Sequence, residues 1–351
     1  MNKPLIALTM GDAAGIGPEV LVRAAADPRV QAECVPLAVA HPEVLRRTVA
    51  ELAMPLDVGV VETPDQFRSF ENQSETLACW VPPWKPAGDE VSDITLGQVQ
   101  EATGRAAYEC LVTAAQAALS GQVDAVTTAP LNKAALKAAG LDYPGHTEIL
   151  GEVCGAANFG MMLYLPQDET VKSPYGLGVV HTTLHTSVRS VPELLSAAAI
   201  TGRIELMDGF LRQLGCDCPR VAVCALNPHA GEGGLFGDEE VRIIQPAVTA
   251  AAQAGIEVTG PLPADTVLRR AVLGEFDGVV AMYHDQGHIA LKLIGFERAV
   301  NITLGLPIIR TSPSHGTGFD IAGTGVASPE GMIAAIRVAV QLLTGRDEES
   351  G

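Results

Sequence analysis

The sequence predicts an α/β protein in which buried parallel strands alternate with helices. Hydrophobic residues make up 47% of the 351 residues, and they are mostly Ala, Val and Leu. Together with abundant Gly, this composition is typical of parallel sheets that are covered on both faces. Short apolar runs also alternate with segments of helical periodicity along most of the chain. The length suggests about two domains.

The first half of the chain begins with a strand, a glycine-rich loop and a helix. Leu5–Met10 is the predicted strand, and Pro18-Glu19 begins the helix, because Pro suits the first turn and Glu complements the helix dipole. Residues 62–93 are rich in Pro, Trp and acidic residues, and we expect them to be irregular. The other predicted elements are strands at 35–39, 58–61 and 123–127 and helices at 43–52 and 97–119.

The second half continues the alternation around loops that carry histidines. Strands are predicted at 161–165, 177–182, 220–226, 279–282 and 300–303, and helices at 192–214, 238–254 and 329–343. His185, His229 and His284 each lie at or just beyond the end of one of these strands. Ligands bind at that edge of an α/β sheet, so we expect the three imidazoles on one rim.

Composition excludes several classes of partner. The net charge of −18 argues against a broad surface for nucleic acid or an anionic membrane. The seven cysteines form no CxxC pair, which fits a reduced cytoplasmic protein. No apolar run approaches the ~20 residues of a membrane helix. We therefore expect a cytoplasmic protein whose anionic ligands are held by a few local cations.

Three neutral imidazoles would suit a divalent metal with open positions for substrate, although each can also be a hydrogen-bonded loop residue. Asp285 and Glu232 stand close to two of them in sequence. The loop 11–17 lacks the GxGxxG spacing and is read as a tight turn. The loop 312–325 suits either a nucleotide or a surface excursion. Candidate holders of phosphate or carboxylate are Lys133, Lys292, Arg310 and His146-Thr147.

Between about residues 5 and 343, the motifs GDAAGIGPE, PLNK, YPGHTE, LHTSVR, NPHAGEGG, GPLPADT, MYHDQG, VNITLGLPIIRTS and HGTGFDIAGTG occur in this order. Together they resemble the 4-hydroxythreonine-4-phosphate dehydrogenase family of pyridoxal phosphate biosynthesis. GIGPE and HGTGFDIAGTGVASP are also similar to segments of isocitrate and isopropylmalate dehydrogenases, where the second segment surrounds the adenosine of NAD.

The resemblance implies a two-domain α/β/α subunit of the isocitrate/isopropylmalate dehydrogenase type, with the active site in the interdomain cleft. The domains would be 1–145 plus 305–351, and 146–304 with the metal ligands and dimer interface. The subunit would form a homodimer with shared active sites. A divalent metal (Zn, Mg or Co) would be held by His185 and His229 of one subunit and His284 of the other.

The other residues implied by the resemblance fall into three groups. Substrate would be bound by His146, Thr147, Lys292, Asn301 and Arg310. NAD or NADP would be bound around His315, Gly316, Thr317, Asp320 and Ile321. Asp265 and Lys133 are the candidates for proton transfer.

The implied reaction is oxidation of a phosphorylated 3-hydroxy acid followed by decarboxylation, here of 4-hydroxythreonine 4-phosphate to 3-amino-2-oxopropyl phosphate. His288-Ile289 stands where the biosynthetic branch has Leu-Pro. That difference resembles a branch acting on 4-phospho-D-threonate or 4-phospho-D-erythronate, which would give dihydroxyacetone phosphate. A cis-dihydrodiol dehydrogenase, a metallohydrolase that needs no NAD, and a non-catalytic ligand sensor remain alternatives.

Overall fold

The structure is a computed structural model, and it describes residues 3–69, 75–83, 91 and 93–349. The chain packs as two compact units, residues 1–157 with 306–343, and residues 158–305 with 344–351. The predicted division at 145 lies one helix earlier than the observed one. The reason is that the helix His146–Val153 packs against the helix Glu101–Leu119 of the first unit.

The strands in chain order are β1 (Leu5–Thr9), β2 (Val35–Val39), β3 (Asp57–Val61), β4 (Thr76–Trp80), β5 (Ala125–Thr128), β6 (Gly160–Leu165), β7 (Leu177–His181), β8 (Val221–Cys224), β9 (Val258–Leu262), β10 (Gly278–Ala281), β11 (Val300–Leu304) and β12 (Ile309–Pro313). The α-helices are α1 (Gly17–Ala25), α2 (Pro28–Glu33), α3 (Pro42–Glu51), α4 (Glu101–Leu119), α5 (Lys133–Ala138), α6 (His146–Val153), α7 (Val191–Leu194), α8 (Ala197–Gln213), α9 (Gln245–Gln253), α10 (Ala264–Val272), α11 (His284–Gly295) and α12 (Glu330–Glu349).

The strands of the first unit are parallel and lie in the order β3-β4-β2-β1-β5-β12. Every residue of β1, β5 and β12 is buried, as the apolar composition predicts for strands covered on both faces. Since β1, β5 and β12 are neighbours and parallel, the loops that follow them meet at one edge. Those loops contain the GDAAGIG, APLNK and SHGTG sequences.

The strands of the second unit lie in the order β11-β6-β7-β10-β8-β9. Strand β6 is antiparallel to both of its neighbours. The others, β7, β10, β8 and β9, are parallel. The three histidines predicted to bind a metal follow β7, β10 and β8, so the parallel order brings these strand ends to one edge. The core between strands and helices is formed by apolar side chains of β7, β8, β10, α10 and α11.

Two local predictions were wrong, and several elements were not predicted. Strand β4 and a 3₁₀ turn at Pro64–Ser69 lie in the segment 62–93 that was expected to be irregular, and the remainder of that segment includes residues outside the described part. The helix predicted over 192–214 is interrupted, because Ser196 accepts a hydrogen bond from the Ala199 amide and starts α8 anew. Helix α11 was not predicted. Among the described residues, no helix is long and apolar enough to cross a membrane.

Candidate active site

The loop after β7 and the start of α11 bring two predicted metal ligands close together. The ring centroids of His185 and His284 lie 6.0 Å apart. His284 Nδ1 lies 2.6 Å from the Asp285 carboxylate. A carboxylate can only accept, so Nδ1 carries the proton and Nε2 keeps the lone pair that a metal requires. His284 is therefore prepared as a metal ligand.

His229 lies on a left-handed turn after β8. Five consecutive residues from His229 to Gly233 have positive φ, with φ of 53° at His229, 54° at Ala230 and 46° at Glu232. Non-glycine residues adopt this region at an energetic cost, and such conformations cluster at functional sites.

A buried carboxylate anchors the start of this turn. Glu240 is 3% exposed, and it accepts hydrogen bonds from the amides of Leu226 and Asn227 and from the Asn227 side chain. A Cβ at Gly231 would lie 2.7 Å from Glu240 Oε2, so the turn has to pass close to this carboxylate. Glu240 was missed from the sequence, where it is one of several acidic residues in a helical segment.

Within the described part of one chain, no three His, Cys, Asp or Glu side chains are arranged to hold a metal ion. The predicted site takes His284 from a second subunit, so one chain is expected to hold only part of the set. The three-histidine site stays a prediction.

Two further histidines are buried beside His284. His288 stacks on the His284 ring, with centroids 3.8 Å apart and planes inclined by 10°. His288 Nδ1 lies 3.1 Å from His181 Nε2. Burial lowers the pKa of His181 to about 3 and that of His288 to about 4. The sequence signal was the four-residue spacing of His284, His288 and Lys292, which places them along one side of a helix.

The remaining predicted residues of the second unit lie on separate elements. Lys292 is half-buried on α11, with Nζ 5.4 Å from the centre of the Phe296 ring. Asn301 is half-buried on β11, where it pairs with Leu163 of β6. Asp265 is exposed in the first turn of α10.

In the first unit, a buried arginine lies beside the start of α6. Arg310 on β12 is 3% exposed, and burial lowers its pKa to about 9, against a smaller opposite effect of Glu148. Its guanidinium donates to the Thr128 hydroxyl. The pKa of His146 is lowered well below its usual range, first by burial and then by the Arg310 charge. Thr147 follows in the first turn of α6. This is a desolvated positive region suited to an anion.

Lys133 is exposed and is the first residue of α5. The preceding Asn132 caps that helix by accepting a hydrogen bond from the Ala135 amide. The PLNK motif therefore combines a helix cap with an accessible ammonium group.

The glycine-rich loop after β12 is anchored on α1. The Ile16 amide donates to the Thr317 carbonyl, and a Cβ at Gly15 would lie 2.5 Å from that carbonyl oxygen. Glu19 accepts from the Ala327 amide, and Arg23 donates to two carbonyls of the loop. The predicted cofactor residues of this loop, partly or fully exposed, are His315, Gly316, Thr317, Asp320 and Ile321. Because this loop is anchored and its backbone is partly exposed, it is better suited to binding a nucleotide than an unanchored surface loop would be.

Asp12, in the GDAAGIG sequence, is a buried carboxyl that was not singled out from the sequence. Its Oδ1 accepts from the Ala14 amide, and the Thr103 side chain also interacts with the carboxyl group. Burial raises the pKa of this group to about 6. The sequence feature that could have identified it is a single acidic residue within an apolar, glycine-rich loop.

Comparison with known proteins gives full-length matches. The profile of the pyridoxal phosphate biosynthetic protein PdxA matches residues 32–339. The D-threonate 4-phosphate dehydrogenase of Salmonella typhimurium strain LT2 is 44% identical over 97% of this chain and 100% of its own length. The 4-hydroxythreonine-4-phosphate dehydrogenase of Geobacter metallireducens is also 44% identical, over 97% and 96%. A crystal structure of 4-hydroxythreonine-4-phosphate dehydrogenase from Klebsiella pneumoniae has a TM-score of 0.83 at 42% identity, covering 97% of this chain and 100% of that one.

Proposed function

The chain belongs to the PdxA family of pyridoxal phosphate biosynthetic proteins, and from this premise we propose that it is a dehydrogenase dependent on NAD(P) and a divalent metal. Its substrate is a four-carbon 3-hydroxy acid with a 4-phosphate, which it oxidises and decarboxylates. The observation that carries the proposal is the desolvated Arg310 beside His146 and Thr128.

Arg310 supports an anionic substrate because a guanidinium binds phosphate or carboxylate through parallel charged hydrogen bonds, which are stronger where water is excluded. The guanidinium donates to the Thr128 hydroxyl, and Glu148 lies close enough to oppose the lowering of its pKa. The proposed additional contacts to the phosphate and carboxylate are His146, Thr147, Lys292 and Asn301.

The proposed metal ligands are His185 and His229 from one subunit and His284 from its partner. When bound, the metal (Zn, Mg or Co) lowers the pKa of the substrate's 3-hydroxyl and stabilises the charge that develops as carbon dioxide leaves. The fit rests on His284, whose Nδ1 is occupied by Asp285 while Nε2 is left for the metal.

The shared site requires a homodimer, and α11 offers a surface for it. Ile289, Leu293 and Phe296 are 58%, 83% and 56% exposed, and they line one side of the helix that begins with His284. An exposed apolar stripe of this kind is typical of an interface.

The loop around His315, Gly316, Thr317, Asp320 and Ile321 is the proposed NAD(P) site. When bound, the cofactor accepts hydride from C3. Asp265 or Lys133, both exposed, takes the hydroxyl proton directly or through water. The oxidised product is a β-keto acid, whose bond to the carboxylate breaks to release carbon dioxide.

There are two candidate substrates. Sequence identity does not distinguish them, because the relatives named for each substrate are equally similar to this chain. The first is 4-hydroxythreonine 4-phosphate. The second is 4-phospho-D-threonate or 4-phospho-D-erythronate, which is favoured by His288 stacked on a proposed metal ligand at the position where the biosynthetic branch has leucine.

The test is NADH formation, followed by near-ultraviolet absorbance, with all three compounds and a divalent metal. Arg310→Gln should raise KM by at least about tenfold, through loss of a charged hydrogen bond. The exposed Arg242→Gln is the matched control and should not change it. Turnover of none of the three compounds by a metal-loaded wild type would contradict the proposal and direct attention to cis-dihydrodiols, hydrolysis or sensing.

Two histidine variants distinguish the proposed metal site from the proposed cofactor site. His229→Ala should lose metal as well as turnover, whereas His315→Ala should keep metal and weaken NAD binding. Metal content measured by elemental analysis distinguishes them. A His229→Ala protein that keeps its metal would contradict the ligand assignment.

A further inference from the structure

Three imidazole rings are arranged in a row in the second unit. The centroids of His181 and His288 are 4.6 Å apart, and those of His288 and His284 are 3.8 Å apart. The planes of the last two are inclined by only 10°. His181 and His288 are 1% and 6% exposed, so two polar rings are enclosed with no direct access to solvent.

The first two rings are joined by a hydrogen bond between His288 Nδ1 and His181 Nε2, at 3.1 Å. One nitrogen must donate and the other accept, so the pair cannot form when both rings are protonated. His181 also contacts the Met161 carbonyl through Nδ1, at 3.5 Å. His288 is thus held along its edge, while its flat face is free to contact His284.

The space for this pair is provided by Gly287, between His284 and His288 on α11. A Cβ at Gly287 would lie 2.6 Å from His181 Nε2 and 2.7 Å from a methyl carbon of Val179. Helix α11 therefore passes β7 at a distance that only glycine allows. The same close approach brings the His181 edge to His288.

His284 is consequently constrained in two ways. Asp285 bonds its Nδ1 edge, and His288 covers one of its faces. The carboxylate fixes which nitrogen carries the proton, but one hydrogen bond leaves the ring free to tilt about it. The stacked ring limits that tilt and so fixes the direction of the Nε2 lone pair.

We propose that His181 and His288 are positioning residues, which hold the ring plane of His284 for metal binding through the stack and the hydrogen bond behind it. This inference rests on the proposed function, because it takes His284 to be a metal ligand. Groups that orient a ligand typically change metal affinity by about 10–100-fold when they are removed.

The test uses the purified full chain stripped of metal and titrated with Co²⁺ by calorimetry and visible absorption. His288→Leu removes both the stack and the hydrogen bond, and should weaken Co²⁺ binding by about 10–100-fold and alter the cobalt spectrum. His288→Phe keeps a flat ring and should recover much of the affinity and spectrum. His181→Phe should weaken Co²⁺ binding less than His288→Leu does. The control is Lys172→Gln, an exposed position of the same unit, which should leave Co²⁺ binding unchanged.

Each of the remaining outcomes contradicts a specific part of the proposal. If wild type binds Co²⁺ and folded His288→Leu binds it equally with the same spectrum, the pair is only structural and the inference fails. If His288→Leu loses Co²⁺ as completely as His284→Ala does, His288 is itself a ligand and the positioning role fails. If wild type binds no Co²⁺, the metal dependence in the proposed function is contradicted, and the inference that depends on it is contradicted too.

Discussion

Substituting Gly287 by alanine should destabilise the second unit, although alanine is the better helix former. At an exposed helical position the exchange would stabilise by about 1 kcal/mol. At Gly287 the new Cβ would lie 2.6 Å from His181 Nε2 and 2.7 Å from Val179 Cγ1. Both distances are shorter than a van der Waals contact, so α11 or the His181 ring must move.

The magnitude follows from three opposing terms. Overpacking of a filled core costs about 1–3 kcal/mol, and loss of the His181–His288 hydrogen bond costs about 1 kcal/mol more. The gain in helix propensity offsets about 1 kcal/mol. We expect a net loss of about 1–3 kcal/mol in the free energy of unfolding.

The assay is urea unfolding followed by circular dichroism, with Gly209→Ala as the matched control. Gly209 is exposed in the middle of α8 in the same unit, and a Cβ there would meet nothing within 4 Å. Gly209→Ala should raise the urea midpoint, whereas Gly287→Ala should lower it. If both variants raise the midpoint by similar amounts, the close packing of α11 against His181 is refuted.

Three other perturbations test separate parts of the chain. Asp12→Asn should stabilise the fold above pH 6 by about 1–3 kcal/mol. The reason is that the pKa of Asp12 is raised from 3.8 to about 6, so the wild type loses stability as pH rises through that range. Unfolding measured at several pH values should show no stability difference between the variant and wild type near pH 4. Glu240→Gln should destabilise by about 1–3 kcal/mol and weaken Co²⁺ binding, because an amide cannot accept from all three donors that hold the His229 turn; unchanged cobalt affinity would contradict it. Ser196→Ala should cost about 1 kcal/mol by removing the α8 cap, and an unchanged urea midpoint would refute that role.

Strand positions could be predicted because each depends on local sequence. The apolar run Leu5–Met10 is buried on both faces, and the strand before His284 ends where the apolar run gives way to Tyr283-His284-Asp285. The pairing of His181 with His288 could not be predicted, because residues 107 positions apart meet only through the order of the strands. Glu240 was missed for a different reason, because the left-handed turn that brings it back to the Leu226 and Asn227 amides is not evident from the sequence.

In the proposed function, helix α11 carries both a metal ligand and the dimer contact, and a single added charge tests this. His284, His288 and Lys292 follow one side of the helix, and Ile289, Leu293 and Phe296 follow the side next to it. If the apolar stripe is the dimer contact, Leu293→Glu should give a monomer, because a buried unpaired carboxylate opposes association. The monomer would hold only two of the three metal ligands, so cobalt affinity should fall together with the sedimentation coefficient. A Leu293→Glu monomer that binds Co²⁺ as tightly as wild type would show that all metal ligands come from one chain, and the shared site would have to be abandoned.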